Sequence, residues 1–337
     1  MSRYVIVGAG AVGVSLSALW TRAGVDNILV ARPARAKELR SGVLEFRTVD
    51  TVEHPKFDVA TLDEPPQFSD ADVIVFTTKV QSVEEAAQQW AWRPLSGEPK
   101  AGGPRLVAEL PAVSLSNGLD AERVLLRRFR TVYGVAFGTP ARYTDPNHVI
   151  IGAGPKVAWA VLGSYPGGLD ANVRSVADDL RQAQFLVHEA ADVRRWKATK
   201  LLASIKFALD LFTGSPQEKA TIAQELESEA RTAFTAAGIE PAESLAEVFD
   251  LSQFKVASGI GVGSGHLSVW QSLVRGSGSE VDFLNGEIVL LARLHGTAAP
   301  YNQAIQHLAA TLFANSATPG ALSTDAIEHL AHEIASV

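Results

Sequence analysis

Gly8-Ala9-Gly10-Ala11-Val12-Gly13 follows directly on a short apolar run, Tyr4-Val5-Ile6-Val7. After it, Leu16, Leu19, Trp20 and Ala23 recur at helical spacing, Gly24 closes the stretch, and Asn27-Ile28-Leu29-Val30-Ala31 reads as a second strand. Strand, glycine turn, helix and strand within about 30 residues is the context that makes a G-x-G-x-x-G run a dinucleotide-binding fingerprint. Each glycine has its own task. Gly8 permits the tight turn, Gly10 lets a pyrophosphate approach the backbone, and Gly13 lets the helix pack closely on the sheet. Free N–H groups at the helix start then face the negative charge. Gly8, Ala9, Gly10, Ala11, Val12 and Gly13 are therefore the expected cofactor cradle.

The end of the second strand sorts the cofactors. An NAD site usually places Asp or Glu there for the ribose hydroxyls. This chain has Val30-Ala31-Arg32-Pro33-Ala34-Arg35, with Arg32 where the acid would stand and Arg35 close behind. A guanidinium suits a 2′-phosphate through paired, charge-assisted bonds, which favours NADP(H) over NAD. Solvation of a surface loop is the plain alternative for Arg32.

Composition narrows the remaining classes. A length of 337 residues is that of about two domains. Against 37 acidic residues stand 30 Lys and Arg, so nothing predicts a general attraction to nucleic acid or anionic lipid. Absence of cysteine removes disulfides, thiolate nucleophiles and zinc–cysteine sites. No metal site is expected, because His188, His266, His329 and His332 form no zinc pattern. No uncharged apolar run approaches the roughly 20 residues that span a bilayer, and the N-terminus does not read as a signal peptide. A cytoplasmic protein, monomeric or homodimeric, is the expectation.

The pattern along the chain predicts an α/β fold: an N-terminal Rossmann-type domain over 1–189 and an all-helical domain over 190–337. Phe57–Ala60 is a weak strand and Asp72–Lys79 a clear one, ending in a polar loop that carries Lys79. Ligands bind outside the carboxyl ends of strands in open parallel sheets, so Lys79 is placed to touch cofactor or substrate. Asn117 ends the next strand, Val113–Gly118, although Asn-Gly is a turn signal in its own right. Pro94–Pro104 reads as an exposed loop. Arg130–Phe137 and His148–Ile151 read as strands, Val173–Ala183 as a helix and Phe185–Val187 as an edge strand. Beyond Asp192 helical spacing takes over: one long helix over Val193–Phe212, a helix opened by the capping box Ser215-Pro216-Gln217-Glu218, a shorter one over Pro241–Phe249, then helices over Leu267–Arg275, Glu280–His295, Tyr301–Ala314 and Ser323–Ile334. Val256–Gly265 is glycine-rich and reads as irregular.

Three side chains of this second domain invite a chemical reading beside a structural one. Lys200 sits mid-helix near Trp196, Leu201 and Phe207; it either snorkels to solvent or donates a proton to a reacting carbonyl. Glu280 opens a helix within a second Ser279/Asp282 capping box. It is either favourable first-turn charge or a carboxylate that orients a substrate hydroxyl and pairs with the lysine. Ser268 reaches the same place only if the intervening loop folds back. His295, before Gly296, reads as a helix-end cap.

Taken in order, these pieces resemble the ketopantoate reductase (2-dehydropantoate 2-reductase) family over nearly the whole chain. The matching residues are the glycine run, Arg32, Thr78-Lys79, Ser116-Asn117-Gly118-Leu119 and Trp196-Lys197-Ala198-Thr199-Lys200-Leu201-Leu202. Towards the C-terminus they are Ser268-Val269-Trp270-Gln271, Arg275-Gly276, Glu280-Val281-Asp282, Asn285-Gly286 and His295-Gly296 with Pro300 and Asn302. The resemblance implies a Rossmann-type domain, a helical substrate domain and an active site between them. It implies hydride transfer from NADPH to the ketone carbon of 2-dehydropantoate, a step of pantothenate synthesis. Lys200 would be the general acid, Glu280 and Ser268 would bind substrate, and Asn117 would help hold the lysine side of the site. Lys79, Arg32, Asn117 and the glycine turn would hold NADPH.

The chain departs from that pattern where the family usually carries asparagines after the lysine. Here stand Ser204 and then Phe207 or Ala208, with Lys206 as an added charge; Ser272 replaces an expected Asp. Ser204 can supply part of an asparagine's hydrogen bonding, and Phe207 or Ala208 cannot. The departures imply a bulkier or more apolar 2-oxo compound. Two alternatives stay open: a related reductase of another ketone or imine, and a protein that binds NADP(H) as a sensor without turnover.

Overall fold

The computed structural model describes residues 2–98, 103–258 and 266–336. The chain divides into two compact units. The first comprises residues 1–116, 120–194 and 244–263; the second comprises 117–119, 195–243 and 264–337.

In the first unit, β1 (Arg3–Val7), α1 (Ala11–Ala23), β2 (Asn27–Val30) and α2 (Pro33–Arg40) follow the expected order. The chain continues through β3 (Glu45–Arg47), β4 (Val52–Glu53), β5 (Val59–Ala60), β6 (Asp72–Phe76), α3 (Val83–Ala91), β7 (Ala112–Ser114) and α4 (Ala121–Leu126). Then come β8 (Val132–Gly138), β9 (Ala141–Asp145), β10 (His148–Ile151), β11 (Ala153–Pro155), β12 (Ala158–Ser164), α5 (Ala171–Gln182) and β13 (Phe185–Glu189). Eight strands form one sheet in the order β13-β12-β8-β7-β6-β1-β2-β5. All neighbours are parallel except β8 and β12. Strands buried on both faces read as continuous apolar runs, which is why β1 and β6 were legible.

The chain builds outward from β1 to β2 and β5, then returns to lay β6 on the other side of β1. That reversal opens a crevice at the carboxyl ends of β1 and β6, the position where such sheets take their ligands. Packing holds it: Tyr4 of β1 stacks on Trp20 of α1 at 4.2 Å between centroids. The Tyr4 hydroxyl donates to Asp179 Oδ2 at 2.5 Å, tying α5 to the same layer.

Two features of this unit escaped the sequence reading. A second, four-stranded sheet has the order β4-β3-β10-β9. Its first two strands are three and two residues long, too short to carry a periodic signal. The second feature is β15 (Phe254–Val256), which pairs antiparallel with β11.

In the second unit α6 (Val193–Ser204) is shorter than the expected helix to Phe212. Residues Ile205–Leu211 are 3₁₀, and Phe212–Thr213 (β14) pairs in parallel with Leu322–Ser323, the later β16. The C-terminal region is thus helix-rich rather than all-helical. Two polar groups account for the change of winding. Ser204 Oγ donates to Lys200 O at 2.9 Å, a bond that bends helices, and Asn285 Nδ2 donates to Ile205 O at 3.0 Å, satisfying a carbonyl that a longer helix would have used.

α7 (Pro216–Ala236) starts at the predicted capping box: Ser215 Oγ accepts from Glu218 N at 3.2 Å and Glu218 Oε2 from Ser215 N at 2.7 Å. The predicted helix over Pro241–Phe249 is only a 3₁₀ turn at Leu245–Glu247. Of the glycine-rich Val256–Gly265, residues 259–265 lie outside the described residues, as do 99–102 of the Pro94–Pro104 loop. α8 (Ser268–Val274), α9 (Asn285–His295), α10 (Pro300–Ala314), β16 (Leu322–Ser323) and α11 (Thr324–Ala335) complete the unit. A buried amide pair binds it together: Asn285 Nδ2 also donates to Asn302 Oδ1, and Asn302 Nδ2 donates to Leu226 O and Glu229 Oε2. Glu229 in turn accepts from Tyr301 N and Asn302 N at 2.8 and 2.9 Å, closing the start of α10.

Candidate active site

In the first unit, the predicted cradle lies at the crevice between β1 and β6. Gly8 has φ 119, and a Cβ there would stand 2.9 Å from Thr78 N. A Cβ at Gly13 would stand 1.9 Å from Gly8 O. Thr77 Oγ1 donates to Gly8 O at 2.8 Å, locking the turn to the end of β6. Gly10 differs: a Cβ there would meet no protein atom within 4 Å. The packing of the protein does not itself require glycine at position 10. α1 begins just there, with no side-chain cap and no acid in its first turn. An uncapped, acid-free helix start beside open space fits a pyrophosphate.

The rest of the rim is polar. Lys79 caps the short 3₁₀ turn Val80–Ser82 and is half-buried. Thr78 Oγ1 and Gln81 Oε1 are buried without a hydrogen-bond partner among the described residues, two acceptors at the β6 end that sequence spacing did not single out. Ala9, Ala11 and Val12 are half-buried against the core. Arg32 is the exposed N-cap residue of α2, whose first turn holds no acid. Arg35 lies over the Tyr143 ring at 5.5 Å and pairs with Glu38 at 2.8 Å.

Lys200, Glu280, Ser268 and Asn117 all fall in the second unit. Lys200 is on the last turn but one of α6, half-buried, with its Nζ 4.8 Å from the Phe207 ring centroid. Burial pulls its ammonium down to about 8, against the opposing pull of the Glu280 carboxylate, which favours the charged form. Glu280 is itself buried. It does not open a long helix as expected: it caps the 3₁₀ turn Val281–Phe283, and α9 starts only at Asn285. The anticipated capping box is not made either. Ser279 Oγ accepts from Val281 N at 3.1 Å, while Asp282 Oδ1 is taken by Gln306 Nε2 at 2.8 Å. A tertiary partner outcompeted the local one.

The 117–119 segment packs on this same turn. Gly118 has φ 76, and a Cβ there would lie 2.6 Å from Phe283 O. The close approach explains the glycine and carries Asn117 to the segment that Glu280 caps. Gly118→Ala combines a disfavoured φ with a clash against backbone, so we expect it to cost about 2 kcal/mol and to lower activity with it. Thermal denaturation with parallel rate measurements checks this; unchanged stability would mean the contact does not form.

Ser268 is the first residue of α8, and its Oγ is buried with no partner among the described residues. Asp210 Oδ2 accepts from Leu267 N at 2.9 Å, fixing the start of α8 on the 3₁₀ segment that follows Lys200. Ser272 Oγ donates back to Ser268 O at 2.8 Å. Lys206, the unexpected charge, does not stand free: Glu227 Oε2 holds it at 2.6 Å, and Glu227 also takes Arg231. His295 ends α9 before Gly296 at φ 70, as a helix-end residue. Among the described residues no group of acids and histidines could hold a metal ion, and no helix is long and apolar enough to cross a membrane.

Residues 4–161 match the family described as ketopantoate reductase PanE/ApbA, and residues 199–312 match the ketopantoate reductase PanE/ApbA C-terminal family. Together the two matches place the chain in the ketopantoate reductase PanE/ApbA superfamily. A 2-dehydropantoate 2-reductase of Archaeoglobus fulgidus is 26% identical over 316 residues, covering 91% of this chain and 97% of the relative. One of Pyrococcus horikoshii is 22% identical, covering 88% and 93%. Among solved structures, a PanE/ApbA family ketopantoate reductase from Ralstonia eutropha JMP134 has a TM-score of 0.71 at 20% identity, covering 93% of this chain and 99% of that one. D-mandelate dehydrogenase in a ternary structure with NADH and anilino(oxo)acetate has a TM-score of 0.74 at 17% identity, with the same coverage. At these identities the structural likenesses speak for the fold. Family and fold are those of NAD(P)H-dependent oxidoreductases acting on small ketones or 2-oxo acids.

Proposed function

We propose that this protein reduces a 2-oxo acid to the 2-hydroxy acid with NADPH, with 2-dehydropantoate as the reference substrate and a cytoplasmic setting. The observation that carries the reading is Lys200: a half-buried side chain whose amine is drawn down to about 8 and acts against the buried Glu280 carboxylate, in a chain of this family. An amine with that proton affinity is well matched to donating at neutral pH. Its ammonium polarises the carbonyl as the hydrogen bond forms, then gives its proton to the oxygen as negative charge develops there. Glu280 keeps the amine protonated in the resting site and orients the substrate's carbonyl end through Lys200. Ser268 Oγ offers a neutral donor for the carboxylate, and Asn117 offers an amide from the segment packed on the Val281–Phe283 turn.

The glycine cradle, Lys79 and Arg32 would hold the dinucleotide, which supplies the hydride when bound. Open space at Gly10 and the acid-free start of α1 support that fit. For the choice of cofactor, the β2–α2 turn has two arginines and no acid between Val30 and Arg35. Arg32→Ala is expected to lower the NADPH-over-NADH preference in kcat/KM by about tenfold, mostly by weakening NADPH. An unchanged ratio would remove Arg32 from the 2′-phosphate site. The function itself is tested by following NADPH oxidation with 2-dehydropantoate and a panel of 2-oxo acids, beside Lys200→Ala. Cofactor binding without lysine-dependent turnover of any ketone would favour a sensor instead.

A further inference from the structure

The surroundings of Lys200 point to the kind of side group the substrate carries. We propose that it is a bulky hydrocarbon, branched or aromatic, with no hydroxyl or amide. This inference rests on the reading of Lys200 as the proton donor. A carbonyl oxygen accepting from Nζ does so at about 2.9 Å. Phe207 has its ring centroid 4.8 Å from that same Nζ. A substituent on the carbonyl carbon that turns toward Phe207 therefore meets the face of its ring.

The residues following Lys200 at helical spacing are Ser204, Phe207 and Ala208. Ser204 is 1% exposed, and its one hydroxyl hydrogen is donated to Lys200 O at 2.9 Å. Ala208 is also 1% exposed and has no polar atom in its side chain. Lys206 is held by Glu227, and Ser272 by the backbone of its own helix. Asn117 sits on the turn packed against the segment that Glu280 caps, away from these positions in the chain. The unpartnered Ser268 Oγ is one donor, and the carboxylate of a 2-oxo acid is its natural acceptor. A hydroxyl on a side group turned toward the ring would leave water and find an aromatic face, the Glu280 carboxylate being engaged with the charge of Lys200. A buried polar group without a partner is discriminated against strongly. In the reaction, hydride adds to the carbonyl carbon, the Lys200 proton goes to oxygen, and water reprotonates the amine; the side group takes no part, so it is free to set specificity.

A matched pair of substrates tests this on the full-length protein. 2-Dehydropantoate and 3,3-dimethyl-2-oxobutanoate differ by one hydroxyl; phenylglyoxylate adds an aromatic probe. We expect kcat/KM for each hydroxyl-free acid to exceed that for 2-dehydropantoate by at least about tenfold. Phe207→Ala should raise KM for phenylglyoxylate by about tenfold, and the milder Phe207→Leu keeps the test available if the alanine variant folds poorly. Ser204→Ala should leave the ratio between the two matched substrates unchanged. Lysine-dependent turnover that prefers 2-dehydropantoate overturns the inference and leaves the reductase reading standing. A loss confined to 2-dehydropantoate in Ser204→Ala overturns it too, by showing the hydroxyl at work on substrate. Absence of lysine-dependent turnover with every acid removes the reductase reading, and the inference with it.

Discussion

Replacing Lys200 by alanine is expected to lower kcat/KM for ketone reduction by about 10³-fold, the usual worth of a positioned acid. The pH dependence identifies the group behind that loss. Burial draws the Lys200 ammonium down to about 8. Reduction needs the protonated amine, so kcat/KM should be flat below that value and fall about tenfold per pH unit above it. Oxidation of the hydroxy acid needs the free amine and should rise through the same value. Glu280 opposes the effect of burial by favouring the charged amine. Removing its charge in Glu280→Gln therefore moves the falling limb to lower pH. Lys200→Arg keeps the charge and loses the chemistry, because a guanidinium does not release its proton in this range. A falling limb that stays in place in Glu280→Gln would assign the titration to another group.

How much of this was legible beforehand depends on where the deciding interactions lie. The β1–α1–β2 unit is written in local terms: a buried strand, three glycines and a helix closed by Gly24. The capping box at Ser215 is equally local, and it forms as read. The end of α6 is different. Ser204-Ile205-Lys206-Phe207 contains neither glycine nor proline, so nothing local announces a break. The break is held by Asn285, far along the chain, whose amide takes the Ile205 carbonyl. Glu280 shows the same limit, since Gln306 claims Asp282 and with it half of the predicted capping box.

The candidate site divides along similar lines. Residue types and their order single out Lys200, Ser268, Glu280 and Asn117, and the fold places all four in one unit. Their chemistry is not in the spacing. The lowered proton affinity of Lys200 comes from burial, and burial is a property of the packed structure. Ser204 is the instructive case. As a residue type it can replace part of an amide, but its one donor hydrogen is spent on the backbone of its own helix.

Two glycines of one motif should respond in opposite ways to the same substitution. Gly13→Ala puts a methyl group 1.9 Å from Gly8 O and 2.6 Å from Thr77 Oγ1. The first of those atoms is backbone in the tight turn, and the second is pinned by its bond to Gly8 O at 2.8 Å. Neither can yield without separating α1 from the sheet, so the substitution should cost at least about 2 kcal/mol and abolish dinucleotide binding along with the turn. Gly10→Ala meets no such obstacle. Its φ of −84 and ψ of −167 suit any residue, and no protein atom lies within 4 Å of the new methyl. With less freedom to lose on folding, the free protein should be as stable as before or more stable by up to about 1 kcal/mol. The methyl occupies the open space proposed for the pyrophosphate, so the Kd for NADPH should rise by at least about tenfold, or about 1.4 kcal/mol. Melting curves of both variants with and without NADPH separate the two effects: Gly13→Ala melts early in either condition, and Gly10→Ala loses only the shift that the cofactor confers. If Gly10→Ala keeps that shift in full, the open space at Gly10 is not where the dinucleotide lies.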